Sequence, residues 1–225
     1  MDQPPTCIGI ILDGNRRFAK EKGLPTAEGH RLGAKNTDTI ALAARDLGVQ
    51  HLVLYAFSTE NWQRSKEEVS YLMTLFEESI RDNLARLTKE GIAIRFIGQL
   101  DRFSESFQVM MREVEKTNPQ PPHMTLWVCL SYGGRAEIVE AAQALAKRGE
   151  EITEASLEAA LWSAGMPDPD LIIRTSGEHR LSNFLLWKSA YSELFFPEVY
   201  WPAFTKADLE KILDEYAARE RRMGK

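Results

Sequence analysis

The sequence predicts an α/β fold with a central parallel sheet of about six strands surrounded by helices. Six short apolar runs alternate with stretches of helical length, and they lie at residues 7–12, 51–56, 92–97, 124–130, 171–173 and 194–196. These runs are almost continuously apolar, which is typical of strands buried on both faces of a parallel sheet. Strands that alternate with helices along a chain build such a sheet. A length of 225 residues fits a single domain, which we place at residues 1–225.

The composition excludes several classes of protein. Hydrophobic residues make up 44% of the chain, which is enough for a sizeable core and argues against disorder. The formal net charge of -5 argues against nucleic acid as a partner, because nucleic-acid binding usually needs a basic excess. Both cysteines, Cys7 and Cys129, fall inside predicted strands and indicate buried thiols in a reducing compartment.

The chain carries no signal for export or membrane insertion. The six residues before the first predicted strand are too few for a signal peptide. No apolar run approaches the roughly 18 residues that cross a bilayer. We therefore expect a cytoplasmic protein, one that can still make peripheral contact with a membrane if it acts on a lipid.

Helices are predicted between and after the strands. One is expected directly after the first strand, and others at residues 33–47, 67–90, 105–116, 135–148 and 206–221. At the start of the last helix, Thr205 and Asp208 resemble a capping box, in which two side chains bond each other's backbone amides.

The helix at residues 67–90 carries one apolar stripe at mostly three- and four-residue steps. The stripe consists of Val69, Leu72, Met73, Phe76, Ile80, Leu84 and Leu87. Core packing explains such a stripe, and so does the wall of an elongated apolar cavity. Periodicity alone does not separate these two interpretations.

A first polar cluster directly follows the first predicted strand. It consists of Asp13, Gly14, Asn15, Arg16 and Arg17. Ligands bind beyond the carboxyl ends of the strands in open parallel sheets. A carboxylate beside two guanidinium groups indicates a site for a metal ion and an anion, most simply magnesium and a diphosphate. The alternative is an ordinary turn with solvent-facing arginines.

A second polar cluster follows the second predicted strand. It contains Ser58, Thr59, Glu60, Asn61, Trp62 and Arg64. One interpretation is a helix entry with Ser58 or Thr59 as its cap. A substrate-binding loop also explains Asn61, Trp62 and Arg64, which capping leaves unexplained.

A third polar cluster follows the fifth predicted strand. Arg174 and Arg180 enclose hydroxyl groups and a glycine, an arrangement suited to a diphosphate. A salt bridge from either arginine to Glu178 is the simpler alternative. Taken alone, His179 fits a structural role, and Glu193, beside the last strand, fits a surface position. A parallel sheet would bring the three clusters to one edge beside an apolar interior, which suits a ligand with a diphosphate head and a hydrocarbon tail.

Several common catalytic motifs are absent from the sequence. It has no Gly-x-x-x-x-Gly-Lys-Ser/Thr loop and no Gly-x-Gly-x-x-Gly after the first strand, which disfavours nucleotide and dinucleotide enzymes. It also lacks zinc-type ligand spacing and a Gly-x-Ser-x-Gly nucleophile elbow. No Asp-Asp pair occurs, which excludes the aspartate-rich magnesium motifs of helical, trans-type prenyltransferases.

Together these motifs resemble the cis-prenyltransferase family, to which undecaprenyl diphosphate synthase belongs. The resemblance covers residues 8–224, and its anchors are Asp13-Gly14-Asn15-x-Arg17, Gly29-His30, Tyr55-Ala56-Phe57-Ser58-x-Glu60-Asn61-Trp62-x-Arg64, Tyr132-Gly133-Gly134-Arg135, Ile173-Arg174-Thr175-x-Gly177-Glu178-x-Arg180-x-Ser182-Asn183-Phe184 and Glu220-Arg221-Arg222. It implies the same sheet fold with a hydrophobic tunnel for a growing polyprenyl chain. It also implies a homodimer, to which the C-terminal segment at residues 219–222 contributes.

The resemblance implies a reaction and its central residues. An allylic diphosphate, taken to be farnesyl diphosphate, is extended with isopentenyl diphosphate units, each adding a cis double bond, with Mg²⁺ as cofactor. Asp13 is the expected catalytic carboxylate, which works with Mg²⁺ on the allylic diphosphate. Asn61 matches the residue assigned to proton removal. Glu193 matches a glutamate that reaches magnesium from the dimer partner, and His179 is expected near the same metal.

Further residues are expected to bind substrate. Around the allylic diphosphate the resemblance places Gly14, Asn15, Arg16, Arg17, His30 and Arg64. Around isopentenyl diphosphate it places Ser58, Arg174, Arg180 and Ser182. Thr59, Glu60 and Leu181 belong to the same binding loops, and Phe18 and Trp62 are expected to shape the substrate pocket.

Departures from the family pattern bear on primer and product. Thr26 stands where the family usually has an arginine facing the allylic diphosphate, which removes one charge. Ala56 is small where bulk would block the tunnel, and residues 67–98 lack the insertion of very-long-chain members. A product of bacterial lipid-carrier size is the expectation. The alternatives are a short-chain or irregular, branched prenyl diphosphate synthase of the same fold and a non-catalytic partner subunit.

Overall fold

A computed structural model describes residues 5–219, without the side chains of residues 83–85. Its strands are β1 (Cys7–Ile11), β2 (His51–Ser58), β3 (Ile92–Ile97), β4 (Met124–Tyr132), β5 (Leu171–Arg174) and β6 (Glu193–Phe195). They form one sheet in the order β3-β4-β2-β1-β5-β6, and every neighbouring pair is parallel. The predicted α/β fold with a six-stranded parallel sheet is confirmed.

The position of β1 creates the crevice that the site needs. β1 pairs with β2 on one side and with β5 on the other. The loops after these strands therefore leave the sheet in different directions, which opens a crevice beyond the carboxyl end of β1. β2, β4 and β5 each run one or two residues beyond their predicted ends, because the sheet pairing continues there, as in the register of Ser58 with Tyr132.

Helices cover both faces of the sheet. They are α1 (Asn15–Glu21), α2 (Thr26–Asp46), α3 (Lys66–Ser79), α4 (Ala85–Lys89), α5 (Glu105–Lys116), α6 (Gly134–Arg148), α7 (Glu154–Ala160) and α8 (Lys206–Ala218). The predicted cap of the last helix is confirmed, since Thr205 Oγ1 accepts from the Asp208 amide and Asp208 Oδ2 accepts from the Thr205 amide. The part of that prediction beyond Arg219 lies outside the described residues, as do Glu220, Arg221 and Arg222.

The predicted start of α2 at residue 33 is wrong, because α2 begins at Thr26. Two glycines in its first turns weaken the helical signal in the sequence. Both allow close packing against α1: a Cβ at Gly29 would lie 2.2 Å from the Asn15 carbonyl oxygen, and one at Gly33 would lie 2.3 Å from Asn15 Oδ1.

The single helix predicted at residues 67–90 is interrupted. α3 ends at Ser79, a π-helical turn follows at Ile80–Leu84, and α4 continues from Ala85 to Lys89. A π-turn adds a residue to the helical repeat and shifts the face that later residues present. A regular apolar period in the sequence does not reveal that shift.

The core lies on both faces of the sheet. On one face, Ile8 and Ile10 of β1 pack with residues of α2, α3 and α8. On the other, Cys7 and Ile11 pack with Phe184 and neighbouring residues. The predicted burial of both thiols is confirmed, since Cys7 and Cys129 are buried and free. Among residues 5–219, no helix is long and apolar enough to cross a membrane.

The outer edge of β3 is covered by side chains from the end of α5 and the loop after it. Asn118 Oδ1 accepts from the Ile94 amide at 2.7 Å, and Asn118 Nδ2 donates to the Ile94 carbonyl at 2.7 Å. Glu115 Oε1 accepts from the Phe96 amide at 2.9 Å. These two side chains thus take the hydrogen bonds that a further strand would form.

Candidate active site

Members of all three polar clusters meet in one pocket beyond the carboxyl ends of β1, β2 and β5. The pocket has a volume of about 780 Å³. It is lined by Ile11, Leu12, Asp13, Gly14, Asn15, Arg16, Arg17, His30, Tyr55, Ala56, Ser58, Glu60, Asn61, Arg64, Leu72, Arg174, Ser182 and Asn183. Loops far apart in sequence come together here because parallel strands end at the same edge.

Asp13 lies at the centre of a charge network. Its Oδ2 accepts hydrogen bonds from Arg174 Nη2 at 2.8 Å and Nε at 3.2 Å, and its Oδ1 lies 3.1 Å from Arg17 Nη2. Burial by itself raises the pKa of Asp13. The hydrogen bonds and charges of Arg174 and Arg17 outweigh burial and hold that pKa below its usual value. The carboxylate is therefore ionised at neutral pH.

Gly14 turns the chain from β1 into α1. Its φ is 107°, a region that residues with a side chain rarely adopt. A Cβ at this position would also lie 2.7 Å from Tyr200 Cδ1. The Tyr200 ring centroid lies 5.9 Å from Arg17 Cζ, within reach of a cation–π contact. The turn that sets Asp13 and Arg17 side by side therefore needs glycine.

The loop after β5 fixes the Arg174 guanidinium. The side chain is only 5% exposed, and its Nη1 donates to the Arg180 carbonyl and to Ser182 Oγ, both at 2.6 Å. Ser182 and Asn183 have positive φ values of 48° and 68°. Non-glycine residues in this region are strained, and such strain is concentrated at binding sites. The loop thus holds a nearly buried cation in one orientation at the pocket.

Glu178 joins two arginines at the rim. Its Oε1 accepts from Arg17 Nη1 at 2.7 Å, and its Oε2 accepts from Arg180 Nη1 at 2.5 Å. The simple loop salt bridge considered from the sequence is therefore present for Arg180. Arg174 pairs with Asp13 instead, across the pocket.

The loop after β2 serves both as a cap and as a wall of the pocket. A 3₁₀ turn runs over Thr59–Gln63, and Asn61 Oδ1 accepts from the Ser58 amide at 3.1 Å. Both Ser58 and Asn61 line the pocket as well, so the capping role leaves the substrate-binding interpretation open as a prediction. Asn183 Nδ2 donates to Glu60 Oε1 at 2.9 Å, which ties this loop to the one after β5.

Glu68 of α3 binds three cationic or titratable side chains of the pocket. Its carboxylate lies 3.0 Å from Arg64 Nη1, 3.2 Å from His30 Nε2 and 3.7 Å from Arg16 Nη1. Burial lowers the pKa of His30, although the hydrogen bond to Glu68 opposes that effect. The imidazole is therefore mainly neutral at pH 7.

An apolar chamber of about 110 Å³ continues from the pocket, between α2, α3 and the sheet. The two cavities share Leu12, Asn15, His30, Ala56 and Leu72. The chamber is otherwise lined by Gly33, Ala34, Thr37 and Asp38 of α2, by Leu75, Phe76 and Ser79 of α3 with Ile80, by Leu54, Phe96, Leu126, Val128 and Leu130 of the sheet, and by Trp201. Part of the apolar stripe thus forms a cavity wall, whereas Leu87 is fully buried in the core.

Several known proteins are similar to this chain in sequence and in fold. The family model described as putative undecaprenyl diphosphate synthase matches residues 11–224. The chain belongs to the cis-prenyltransferases. An isoprenyl transferase from Thermotoga maritima is 43% identical, with 98% of this chain and 97% of that protein covered. Isoprenyl transferase 2 from Bradyrhizobium diazoefficiens is 44% identical, with 98% and 90% covered.

Two solved structures are similar over the whole chain. Lavandulyl diphosphate synthase from Lavandula x intermedia, in complex with dimethylallyl diphosphate, has a TM-score of 0.93 and 35% identity, with 99% of both chains covered. A probable undecaprenyl diphosphate synthase from Campylobacter jejuni has a TM-score of 0.84 and 30% identity, with 100% of both chains covered. This cis-prenyltransferase is therefore a prenyl-group transferase of isoprenoid biosynthesis.

Some expected substrate-binding residues of this cis-prenyltransferase do not line the pocket. They are Phe18, Thr59, Trp62, Arg180 and Leu181. Trp62 packs behind the pocket, where its ring contacts Phe57 and Phe103 and its Nε1 donates to Ser131 Oγ at 2.9 Å. Trp62 thus supports the loop rather than forming the pocket wall. The exposed Arg180 contributes its backbone carbonyl to Arg174.

Magnesium, which the resemblance implies, fits Asp13. Mg²⁺ is usually bound by one or two carboxylates together with phosphate oxygens of the substrate. Asp13 supplies one ionised carboxylate at the pocket, and within residues 5–219 no three Asp, Glu, His or Cys side chains form a metal site. His179 is exposed and stacks on Phe196, and Glu193 accepts from Arg219 Nη1 at 2.5 Å. Neither lines the pocket of its own chain, and the expected contribution of Glu193 to a dimer partner stays a prediction.

Sequence reasoning assigned no role to Glu68 or Tyr55. Glu68 stands four residues after Arg64, a spacing that favours an ion pair on a helical turn, and this signal was available. The Tyr55 hydroxyl donates to the carbonyls of Ser182 and Tyr132, each at 3.2 Å, and so links the loops after β4 and β5. No local pattern in the sequence reveals that link, because its partners lie far along the chain.

Proposed function

We propose that this cis-prenyltransferase condenses isopentenyl diphosphate onto farnesyl diphosphate, forms a cis double bond and releases diphosphate, making a polyprenyl diphosphate lipid carrier. The junction of two unlike cavities carries the proposal. An arginine-rich pocket with an ionised Asp13 opens directly into an apolar chamber. A diphosphate with a hydrocarbon tail matches both. Relatives that are isoprenyl transferases support the same class of reaction.

Each diphosphate would bind a different part of the pocket. We assign the allylic diphosphate to the loop after β1, with Arg16, Arg17 and His30, and with Arg64. We assign isopentenyl diphosphate to Ser58 and to Arg174, Arg180 and Ser182. The geometry supports the second assignment most directly, because Arg174 is held by Ser182 at a fixed position. A guanidinium that is already oriented loses little freedom when it binds an anion.

The pocket suits a reaction that separates charge. When the allylic carbon–oxygen bond breaks, negative charge develops on the leaving diphosphate, and guanidinium groups already in place stabilise it without reorganising. Mg²⁺ bound to Asp13 would add Lewis-acid stabilisation of the same oxygens. The nucleophile is the double bond of isopentenyl diphosphate, which has no proton to lose before it attacks. Its positioning by Arg174 and Ser182 therefore contributes most.

Loss of a proton from the resulting cation completes the new double bond. Asn61 matches the residue that the family assigns to this step. Asn61 Oδ1 already accepts a hydrogen bond from the Ser58 backbone amide. The neutral side-chain amide of asparagine is also a weak base. We therefore assign Asn61 to orienting the substrate and the loop, with a diphosphate oxygen or water as the proton acceptor.

We further propose a cytoplasmic homodimer whose lipid product leaves at a membrane surface. The resemblance supports the dimer through Glu193, which stands on the edge strand β6. Within the same chain, Arg219 donates a hydrogen bond to Glu193 and also stacks on Phe195 of β6, with its Cζ 4.0 Å from the ring centroid. A carboxylate and a cation thus lie together at the β6 end of the sheet, which supports an approach of the second copy there.

A short-chain or irregular product is the second candidate. Two observations favour it: the similarity to lavandulyl diphosphate synthase, and a chamber of only about 110 Å³. Thr26, at the start of α2, removes a charge that the family usually directs at the allylic diphosphate. The non-catalytic subunit is disfavoured, because Asp13, Arg17 and Arg174 are present and lie together.

One assay tests the proposed function. Purified protein is incubated with Mg²⁺, radiolabelled isopentenyl diphosphate and allylic primers of increasing length, and the products are sized. We expect incorporation, and we expect Asp13→Asn to reduce kcat by at least about 100-fold, since it removes the charge that binds the metal while keeping the size of the side chain.

Two results would contradict the proposal. The wild-type protein could fail to incorporate label with every primer, or Asp13→Asn could retain full activity. Circular dichroism and thermal unfolding of Asp13→Asn serve as the control, because a variant that fails to fold says nothing about the reaction. Glu113→Gln is a matched carboxylate substitution in an exposed pair with Lys116 and should keep full activity.

A further inference from the structure

The far end of the apolar chamber carries a charged group that the proposed reaction does not use. Asp38 lines the chamber and is 8% exposed. Arg86 Nη2 of α4 donates to Asp38 Oδ2 at 3.2 Å, and the Arg86 side chain is 57% exposed. Among the described chamber-lining residues, the other titratable side chain is His30, at the junction with the pocket. Asp38 is thus a carboxylate between an apolar cavity and solvent.

The spacing of lining residues places Asp38 at the end of the chamber. On α2 the lining residues are His30, Gly33, Ala34, Thr37 and Asp38, and on α3 and the following turn they are Leu72, Leu75, Phe76, Ser79 and Ile80. Both sets follow steps of three, one, three and one, so each helix presents a single stripe. Eight residues of helix span about 12 Å. Asp38 and Ile80 therefore lie about 12 Å deeper than the junction.

The walls of the chamber change character at this depth. The α-helical wall gives way to the π-turn at Ile80, and α4 then supplies Arg86. The hydrogen-bonded ion pair between Asp38 and Arg86 joins α2 to α4 at this depth. Among the described residues, the lining of the chamber reaches no further along these helices than Asp38 and Ile80.

A hydrocarbon tail that passes Asp38 would remove water from a carboxylate without replacing its hydrogen bonds, which is costly. Burial already raises the pKa of Asp38 to about 6, and Arg86 lowers it only in part. The group is still mainly ionised at neutral pH. An added isoprenyl unit gains from burial only while it contacts apolar walls. Where the tail meets Asp38, the cost of removing water from the carboxylate exceeds the gain from burying a further isoprenyl unit.

We propose that Asp38, with Arg86 as its counter-ion, sets the length at which the product stops growing. The inference rests on the condensation proposed above, and it favours the short-chain product named there as the second candidate. The chamber has a volume of only about 110 Å³ and its lining ends at Asp38 and Ile80, so a tail that grows along it meets the ion pair after few units. Elongation then stops because the next unit must displace or cover the ion pair.

The product distribution of three variants tests this inference. Asp38→Asn keeps the size of the side chain and removes its charge, and Asp38→Ala also opens space. Glu90→Gln is the matched control, because Glu90 accepts from Arg45 Nη1 at 3.0 Å and ties α2 to the end of α4 outside the chamber. Products are made from labelled isopentenyl diphosphate with each primer and separated by length.

We expect the main product of Asp38→Asn to gain at least one isoprenyl unit, and that of Asp38→Ala to gain more. The matched control Glu90→Gln, whose side chain lies outside both cavities, should keep the wild-type rate of condensation. Glu90→Gln should give the wild-type distribution. An unchanged distribution in both active Asp38 variants would overturn the inference, as would an equal shift in Glu90→Gln.

Binding without turnover separates a failure of this inference from a failure of the proposed function. Prenyl thiolodiphosphates with increasing numbers of isoprenyl units are titrated into the protein with Mg²⁺, without isopentenyl diphosphate. Wild-type affinity should rise with tail length and then stop rising, whereas Asp38→Ala should continue to gain affinity with the next units. The same length dependence in both proteins contradicts a stop at Asp38, whether or not the protein condenses substrates.

Discussion

Asp13 shares its two carboxylate oxygens between guanidinium groups that reach it from different elements. Arg174 stands at the end of β5. Arg17 lies in α1, four residues after Asp13 itself. Because each cation also bonds other groups, the three charges form a network rather than an isolated pair. Removal of one member leaves a partly buried charge unpaired, which costs several kcal/mol in comparable sites. The same network holds two guanidinium groups close together at the pocket, and a diphosphate needs such positive charge to bind.

Gly14 gives the sharpest test at this scale. Gly14→Ala keeps the turn only if the alanine adopts a φ near 107° and the Tyr200 ring also moves, because Tyr200 Cδ1 would lie 2.7 Å from the new Cβ. We expect a loss of about 1–3 kcal/mol in the free energy of unfolding and a fall in kcat/KM, since Asp13 and Arg17 both depend on this turn. Urea unfolding and steady-state kinetics measure the two effects.

Gly149→Ala is the matched control for that substitution. Gly149 also has positive φ, 69°, but nothing lies within 4 Å of an added Cβ. It should therefore lose stability alone and keep kcat/KM. Equal kinetic effects in the two variants would show that the Gly14 turn is not specifically required by the site.

Single residues were predictable where they directly follow a strand. Asp13 follows β1, Arg17 lies in the helix that comes next, and Arg174 ends β5, so the parallel sheet itself brings them together. Glu68 and Tyr55 act through partners that only the folded chain brings near. Trp62 was expected in the pocket and instead lies behind it, because the 3₁₀ turn directs its ring toward Phe57 and Phe103.

At the scale of elements, α2 and α3 present the same spacing of residues to one cavity. α2 needs glycines at positions 29 and 33 to pack closely on α1, and these same glycines obscured its start in the sequence. The π-turn after Ser79 was also hidden, because one additional residue in a helical repeat leaves no compositional trace. The strands were predictable because each is an apolar run with a polar end.

The loop after β2 depends on an anchor outside the pocket. Trp62→Phe keeps the ring contacts with Phe57 and Phe103 but loses the hydrogen bond to Ser131 Oγ. We expect stability to fall by about 1 kcal/mol and KM for the substrates to rise, because Ser58 and Asn61 sit on this loop. Steady-state kinetics with thermal unfolding measure both, and an unchanged KM would mean that the loop keeps its shape without the anchor.

At the scale of the whole molecule, the charged end of the chamber predicts a pH dependence of stability. The folded-state pKa of Asp38 is raised to about 6 from 3.8 in the unfolded chain. Because the pKa is higher in the folded protein, the protonated carboxyl group favours folding. This contribution is complete below pH 3.8 and is lost as the pH rises through 6. The ionised carboxylate therefore lowers stability at neutral pH by on the order of 2–3 kcal/mol.

Asp38→Asn cannot titrate and should not show that loss. We expect the difference in unfolding free energy, Asp38→Asn minus wild type, to grow by about 2–3 kcal/mol between pH 4 and pH 7.5. Denaturant unfolding at several pH values measures this difference. A constant difference across the range would mean that Asp38 has an ordinary pKa in the folded protein.

The covered edge of β3 limits how copies of this protein can associate. Growth of a filament by strand addition needs an edge at each end of the sheet, so that every copy can accept one neighbour and offer itself to another. Asn118 and Glu115 occupy the hydrogen-bonding groups of β3, which leaves β6 as the other end of the sheet. Strand pairing between copies would then involve β6, and a contact of β6 with β6 would be complete with two molecules. Addition of strands from copy to copy therefore cannot continue through β3.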